Sequence, residues 1–272
     1  MDSNTLTEWN NNGYVIIRGA YNADQVREMN DLLDAVWEHR TDKYAELVFD
    51  QHLSTKMEKR IRFGEIDESV RQKPYKLNDL YLANHRFLNF VLQKELCLKL
   101  TELLGGHAPM VRGTVNFEWG SQQPKHTDNH YTPSYRRNGM LASWVALDSV
   151  NSTNGPLEFF PGSHVIKDYV FQKTGIRANR KPEELEKFNS YIESELDKRN
   201  LKPQIFEANA GDVIVWKDRM VHGGRKIEDK AVRRRSIVSH YFRMCDYAPL
   251  FWKIGRLHGQ GYYYKRRYHS IP

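Results

Sequence analysis

The sequence predicts a mainly β protein with flanking α-helices, built as an antiparallel sandwich or jelly roll. Three observations carry this. From about residue 110 the chain breaks into short strand-like runs, "MVRGTVNFEW", "LASWVALDSV", "PLEFFPG", "GDVIVWKD" and "RRRSIVSHYF", separated by Gly, Pro, Asn and Asp. Many short strands with turn residues between them mark sandwiches and barrels. Before that point apolar residues recur mainly at helical spacing. Finally, no linker, repeat or low-complexity segment divides the 272 residues. The chain therefore reads as one domain over 1–272: a helix-rich part over about 1–108, a jelly-roll core over about 109–245, and a helical insert at about 180–200.

Taken in order, "GYVIIRG" (13–19) reads as a buried strand, since its β-branched residues lie between two glycines. The next segment, "NADQVREMNDLLDAVWEHR", reads as a helix. Asn22 suits its N-cap, and Gln25 three residues later completes a capping box. Val26, Met29, Leu33 and Val36 follow at helical spacing and predict one buried stripe. A second helix at about 94–104 places Leu96, Leu100 and Leu103 on one face and stops at Gly105-Gly106. Within the β-rich half, "RKPEELEKFNSYIESELDKRN" reads as a helix with Pro182 in its first turn. Leu185, Phe188, Ile192 and Leu196 form its apolar face. It packs over the barrel mouth or wall, as a structural cover or as a substrate lid.

Composition narrows the function classes. Hydrophobic content of 40% and aromatic content of 12% are those of a globular chain and not of a disordered one. A net charge of +7 fits an ordinary solvated surface or an anionic ligand, and bears on association more than on fold. The two cysteines, Cys97 and Cys245, match no disulfide framework or zinc spacing. With no signal peptide, no apolar run of about 20 residues and no peroxisomal C-terminal address visible, the expected location is cytoplasmic, away from membranes.

The chemistry centres on "PKHTDNHY" (124–131). His126 and Asp128 are two apart, and in an extended segment residues i and i+2 face the same way. "GDVIVWKDRMVHGG" (211–224) offers a third ligand, His222, just after a strand and followed by two small residues. Two imidazoles and a carboxylate make the facial triad of non-haem Fe(II) oxygenases, which leaves coordination positions open for reactants.

With these motifs assembled, the chain resembles the phytanoyl-CoA dioxygenase (PhyH-like) family of Fe(II)- and 2-oxoglutarate-dependent oxygenases. The resemblance runs from "GYVIIRG" to about Phe242, through "HTD" (126–128), "WVALD" (144–148), "NGPLEFFPGSH" (154–164), "GDVIVWKDRMVHGG" and "RRRSIVSHYF". It implies a double-stranded β-helix with helices packed on one side. It also implies His126, Asp128 and His222 as metal ligands and catalytic residues, with 2-oxoglutarate and O2 as co-substrates. The far carboxylate of 2-oxoglutarate needs a cation, and the planar fork of Arg pairs a carboxylate through two charge-assisted hydrogen bonds. Arg233, Arg234 and Arg235 compete for that role. Period-two alternation puts Arg233 and Arg235 on one face, and Arg234 with Ser236 on the other. Similar oxygenases pair Arg-x-Ser on this carboxylate, so Arg234 and Ser236 are the expected partners, with Arg233 as fallback and the other arginines as a basic exposed edge. Trp144, eighteen residues after His126, matches the family's tryptophan lining the 2-oxoglutarate pocket. His164 in "PGSH" belongs to a turn and not to the ligand set.

The implied reaction hydroxylates a polar or anionic small metabolite and releases succinate and CO2. The retained Asp128 favours oxygenation over halogenation, whereas desaturation, cyclisation or epimerisation share the same cofactor chemistry. A non-catalytic 2-oxoglutarate-binding or sensing protein is the alternative of another class. Asn129, Tyr131 and Arg137 beside the triad, with neighbours His130, Tyr135 and Arg136, are candidate substrate contacts, as is Asn116 on the preceding strand. The C-terminal "GYYYKRRYHS" reads as a tail closing the barrel or as a subunit contact in a homo-oligomer, with no nucleic-acid partner expected.

Overall fold

The structure, a computed structural model, describes residues 3–52, 58–178, 181–257 and 259–268. Its first part contains α1 (Ser3–Asn12), β1 (Tyr14–Ile17), α2 (Ala23–Glu38), β2 (Val48–His52), β3 (Glu58–Arg62), β4 (Tyr75–Asn78), α3 (His85–Val91) and α4 (Lys94–Leu103). There follow β5 (Pro109–Phe117), β6 (Met140–Ala146), β7 (Leu157–Phe159), α5 (Pro182–Lys198), β8 (Gln204–Phe206), β9 (Val213–Lys217), β10 (His222–Gly224), β11 (Ser236–Arg243), β12 (Ile254–Arg256) and β13 (Tyr262–Tyr264).

Among the described residues the major sheet has the order β1-β9-β6-β11-β5-β4-β2-β3, and β13 adds to β5 in parallel. The minor sheet runs β10-β7-β8. The two sheets close on each other through Trp144, Ile214 and Trp216 from the major sheet and Leu157, Phe159 and Phe206 from the minor one. This is a jelly roll, the double-stranded β-helix. The other face of the major sheet is covered by helices. There Val145, Val213, Ile237 and Tyr241 share a core with Leu33, Val36, Leu88 and Leu100, where each fully buried aliphatic side chain contributes roughly 1.5–3 kcal/mol. Register separates the two faces. Ser236, Val238 and His240 pair with Ala146, Trp144 and Ala142 on the inner side, whereas Ile237 and Tyr241 pair with Val145 and Leu141 toward the helices.

Local expectations map onto this frame for physical reasons. Asn22 and Gln25 form the reciprocal capping box of α2, whose buried stripe includes Leu32 and Trp37 as well as Val26, Met29, Leu33 and Val36. α4 buries Leu96, Leu100 and Leu103 and ends at Gly105 and Gly106, both with positive φ. α5 packs Phe188, Ile192 and Leu196 against Phe160, Ile166, Phe171 and Val221 and so forms an outer wall. β1 departs from expectation: it is the sheet's edge, paired only with β9, so Val15 is buried while Ile16 is exposed. The helix-rich part also contributes β2, β3 and β4, which the sequence reading missed. Their inner faces carry Asp50, Arg60, Lys76 and Asn78, while Phe49, Tyr75 and Leu77 on the other face are buried; each strand is only four or five residues long, so the alternation is brief. The C-terminal segment makes a β12–β13 hairpin against the β5 edge.

Candidate active site

The site is built where the two sheets meet. After β5 the chain returns in extended form, and His126 makes an antiparallel bridge to His222 at the start of β10. Each amide donates to the other's carbonyl, at 2.9 and 3.0 Å. Thr127 then leads into a short 3-10 turn that begins at Asp128. The small residues after His222 are required by close approach. A Cβ on Gly223 would lie 2.9 Å from Gln123 O, and one on Gly224 would lie 2.6 Å from Ser121 Oγ.

These connections bring the three side chains to one point. His126 Nε2 and His222 Nε2 lie 3.9 and 3.6 Å from Asp128 Oδ1, and one ligand atom from each residue falls within 4.8 Å of the others. Nδ1 of His126 meets the Pro124 carbonyl at 2.8 Å, and Nδ1 of His222 meets that of Met220 at 2.9 Å. With protons on Nδ1, both Nε2 lone pairs point inward, as a metal-ligating histidine requires. Trp216 Nε1 donates to Asp128 Oδ2 at 2.9 Å. Burial, reinforced by His222, pulls the pKa of His126 down to about 3, so the ring is neutral at pH 7. For Asp128, burial pushes upward, but His222 and His240 outweigh it and hold the carboxyl below its ordinary range. A carboxylate and two imidazoles fit a divalent transition-metal ion.

The other end of the inner face holds a cation. Arg234 is 2% exposed, donates from Nη1 to Ser236 Oγ at 3.2 Å, and lies 5.1 Å from the ring centroid of Trp144. Its Nε is buried without a partner, and no carboxylate among the described residues pairs with it. Burial accordingly lowers its pKa to about 10. A buried guanidinium in this condition suits the far carboxylate of a dicarboxylic acid. The neighbouring arginines correct the expectation of a basic exposed edge. Arg233 pairs in a bidentate manner with Asp148 at 2.9 and 3.0 Å. Arg235, 1% exposed, is bound by Glu118 at 2.7 Å and by Asp34.

The substrate candidates are placed unevenly. Tyr131 stands edge-on to His126, with centroids 5.6 Å apart, and is 42% exposed. Asn129 is buried and donates to Asp168 at 2.6 Å, and His130 packs on Phe171 and Phe188. Arg137 is exposed, as is Tyr135, which packs on Tyr247, while Arg136 reaches Asp246. Asn116 pairs with Ile237 and Leu77 on the helical face of the sheet, so the structure does not bring it to the triad. His164 lies against Asn10, away from the cluster. Sequence reasoning missed Trp216, Lys76 and His240. For His240 a signal existed, because it lies on the same period-two face as Arg234 and Ser236.

Known proteins bear on this arrangement. The sequence matches the phytanoyl-CoA dioxygenase (PhyH) family over residues 9–235. No curated protein sequence matches it. Among solved structures, the non-haem α-ketoglutarate-dependent carbocyclase SnoK from nogalamycin biosynthesis has a TM-score of 0.68 at 15% identity, over 97% of this chain and 96% of that one. The epimerase SnoN from the same biosynthesis has a TM-score of 0.64 at 18% identity, over 88% and 82%. EctD from S. alaskensis, with 2-oxoglutarate and 5-hydroxyectoine, has a TM-score of 0.64 at 15% identity, over 90% and 77%. At these identities the likenesses establish the jelly-roll fold. The family match covers most of the chain, includes the extended segment, His222 with its two following glycines and Arg233 to Arg235, and ends just before β11. The chain therefore belongs to the phytanoyl-CoA dioxygenase family, whose members use Fe(II), 2-oxoglutarate and O2.

Proposed function

We propose that the protein holds one Fe(II) ion through His126, Asp128 and His222, and anchors the far carboxylate of 2-oxoglutarate on Arg234 and Ser236 beside Trp144. With these bound it hydroxylates a polar or anionic small metabolite, releasing succinate and CO2. When bound, iron and 2-oxoglutarate supply the activation of O2 and the oxidising power. The chain's residues bind, orient and exclude water. The carbonyls of Pro124 and Met220 fix the two imidazole tautomers. Trp216 holds one oxygen of Asp128, and Trp144 walls the pocket beneath the guanidinium.

The observation that carries this reading is Arg234. A buried, unpaired guanidinium is costly unless a ligand carboxylate completes it, and it faces the same interior as the triad. The preference for a polar or anionic substrate rests on the strands beyond β5. Their inner faces present Lys76 and Asn78, together with a bidentate Arg60–Asp50 pair at 2.6 and 2.8 Å. β4 pairs with β5, and β5 with β11, so this charged wall continues the inner face that carries His240. Tyr131 and Arg137 complete the proposed substrate side. The whole chain is read as one functional unit. Unbonded Cys97 and Cys245 agree with a cytoplasmic location. No helix among the described residues is long and apolar enough to cross a membrane.

The test is a panel of polar and anionic metabolites incubated with protein, Fe(II) and 2-oxoglutarate, scored by succinate release. One metabolite is expected to stimulate release and to return one oxygen atom heavier. A product lighter by two hydrogens, or of unchanged mass, assigns the same chemistry to desaturation, cyclisation or epimerisation. Failure to bind either Fe(II) or 2-oxoglutarate would sink the reading.

A further inference from the structure

Three imidazoles, not two, converge on Asp128. The third belongs to His240 on β11, whose Nε2 lies 3.4 Å from Asp128 Oδ1, nearer than Nε2 of either His126 or His222. The surrounding backbone is shaped to hold it there. Its cross-strand neighbours are Gly113 and Ala142, the smallest residues available. A Cβ on Gly113 would lie 3.7 Å from His240 Nδ1 and 3.9 Å from Asp79 Oδ1. The ring therefore lies over the glycine, with the Asp79 carboxylate close to its far side. Asp79 is itself fixed, accepting from Thr114 N at 3.2 Å and Arg266 at 2.7 Å. The β5–β11 register slips immediately after His240, and such bulges re-aim a side chain beside a site.

His240 does not join the ligand set, because among the described residues only His126, Asp128 and His222 present donor atoms that all lie within 4.8 Å of one another. Its target is the carboxylate. Asp128 Oδ2 already accepts from Trp216, which leaves Oδ1 as the oxygen that faces the histidines.

We propose that His240 is a positioning residue of the metal centre, donating Nε2–H to Asp128 Oδ1 opposite Trp216 on Oδ2. The carboxylate is thereby fixed in one orientation by two ring N–H donors, one from β9 and one from β11. This inference rests on the metal-binding reading above and adds a residue to it. Partners of this kind set metal affinity by orienting the ligand, and their loss typically weakens binding about 10–100-fold.

The test is Co(II) binding to the full chain, followed by calorimetry and by visible absorption, which reads coordination directly and needs no turnover. His240→Leu is expected to bind Co(II) about 10–100-fold more weakly, whereas His240→Gln, which keeps an N–H at similar reach, recovers most of the affinity. His240→Phe keeps the bulk of the ring without the donor and should be as weak as the leucine variant, so it serves where that variant does not fold. His126→Ala is the control and should abolish binding. Wild-type affinity in both His240→Leu and His240→Phe overturns the proposal while leaving the metal centre intact. A glutamine variant as weak as the leucine one also overturns it, since bulk and not donation would then be at issue. Complete loss in His240→Leu with an altered wild-type coordination spectrum would make His240 a ligand instead. If wild-type protein binds no Co(II), the metal centre itself falls, and the role of His240 with it.

Discussion

Arg234 and Arg235 are adjacent in sequence and face opposite sides of one sheet. On the helical side, Arg235 is held by Glu118 and Asp34 and reaches the Asn30 carbonyl. Glu118 in turn accepts from Tyr75 at 2.9 Å, and Tyr75 accepts from Trp37 at 2.7 Å. Burial works against the Arg235 charge, but the two carboxylates outweigh it and raise its pKa. On the inner side, Arg234 is as deeply buried but has one hydroxyl and an aromatic face, and its pKa falls to about 10. Both positions carry the same residue type at similar burial. The helical side is complete by itself, whereas the inner side is complete only when something anionic arrives.

The largest effect that can break this comparison is on stability. Arg235→Leu removes the nearest cation of buried Glu118, leaving only the longer contacts to Arg71 and Arg233 at 3.4 and 3.9 Å, and should cost about 3–5 kcal/mol in urea unfolding. Binding of 2-oxoglutarate by the surviving folded fraction should change far less. Arg234→Leu should do the reverse. Hydrogen bonds to charged groups are worth about 1.5–3 kcal/mol each, so loss of a bidentate contact should weaken 2-oxoglutarate binding roughly a hundredfold by calorimetry. Its unfolding midpoint should hold or rise, because an unpaired buried charge has been removed. If both variants lose stability equally, the distinction between the two sides fails.

A smaller effect is expected from Gly224→Ala, because the added Cβ would meet Ser121 Oγ at 2.6 Å and Gln122 N at 3.0 Å. Forcing a methyl into packed structure costs about 1–3 kcal/mol. Because Gly224 is two residues from His222, the same substitution should lower metal affinity. A further test is pH. Folding lowers the pKa of His126 from about 6.5 to about 3, so between these values the unfolded chain binds the extra proton. The stability contribution of neutral His126 is fully present above pH 6.5 and is lost as pH falls toward 3. Chelator-treated protein should show a urea midpoint that declines over this window, and His126→Phe should flatten the decline.

Much of the site was legible because its chemistry forces local spacing. His126 and Asp128 must be two apart to face one way, and His222 needs small neighbours where backbones crowd. Period-two alternation in the sequence also separates Arg234 from Arg233 and Arg235. What alternation does not reveal is what each face meets. Arg235 looked like a surface cation because its partners, Asp34 and Glu118, lie 201 and 117 residues away. β2 to β4 were missed because each is four or five residues long, too short for its alternation of buried Phe49, Tyr75 and Leu77 with charged neighbours to stand out. Asn116 illustrates the converse: its strand was placed, but its side chain points to the helices.

The backbone bridge between His126 and His222 has a kinetic consequence. The two reciprocal hydrogen bonds form a single pair at the seam between sheets, so neither amide can exchange with solvent unless the other's bond is also released. Both protons should therefore show similar protection from deuterium exchange, set by a single opening event. On the proposed ligand set, a metal ion would join the same two residues through their side chains and close that seam a second time. Loading the site should slow exchange at both amides together, while leaving Ile237 and Val145 in the sheet interior at their previous rates.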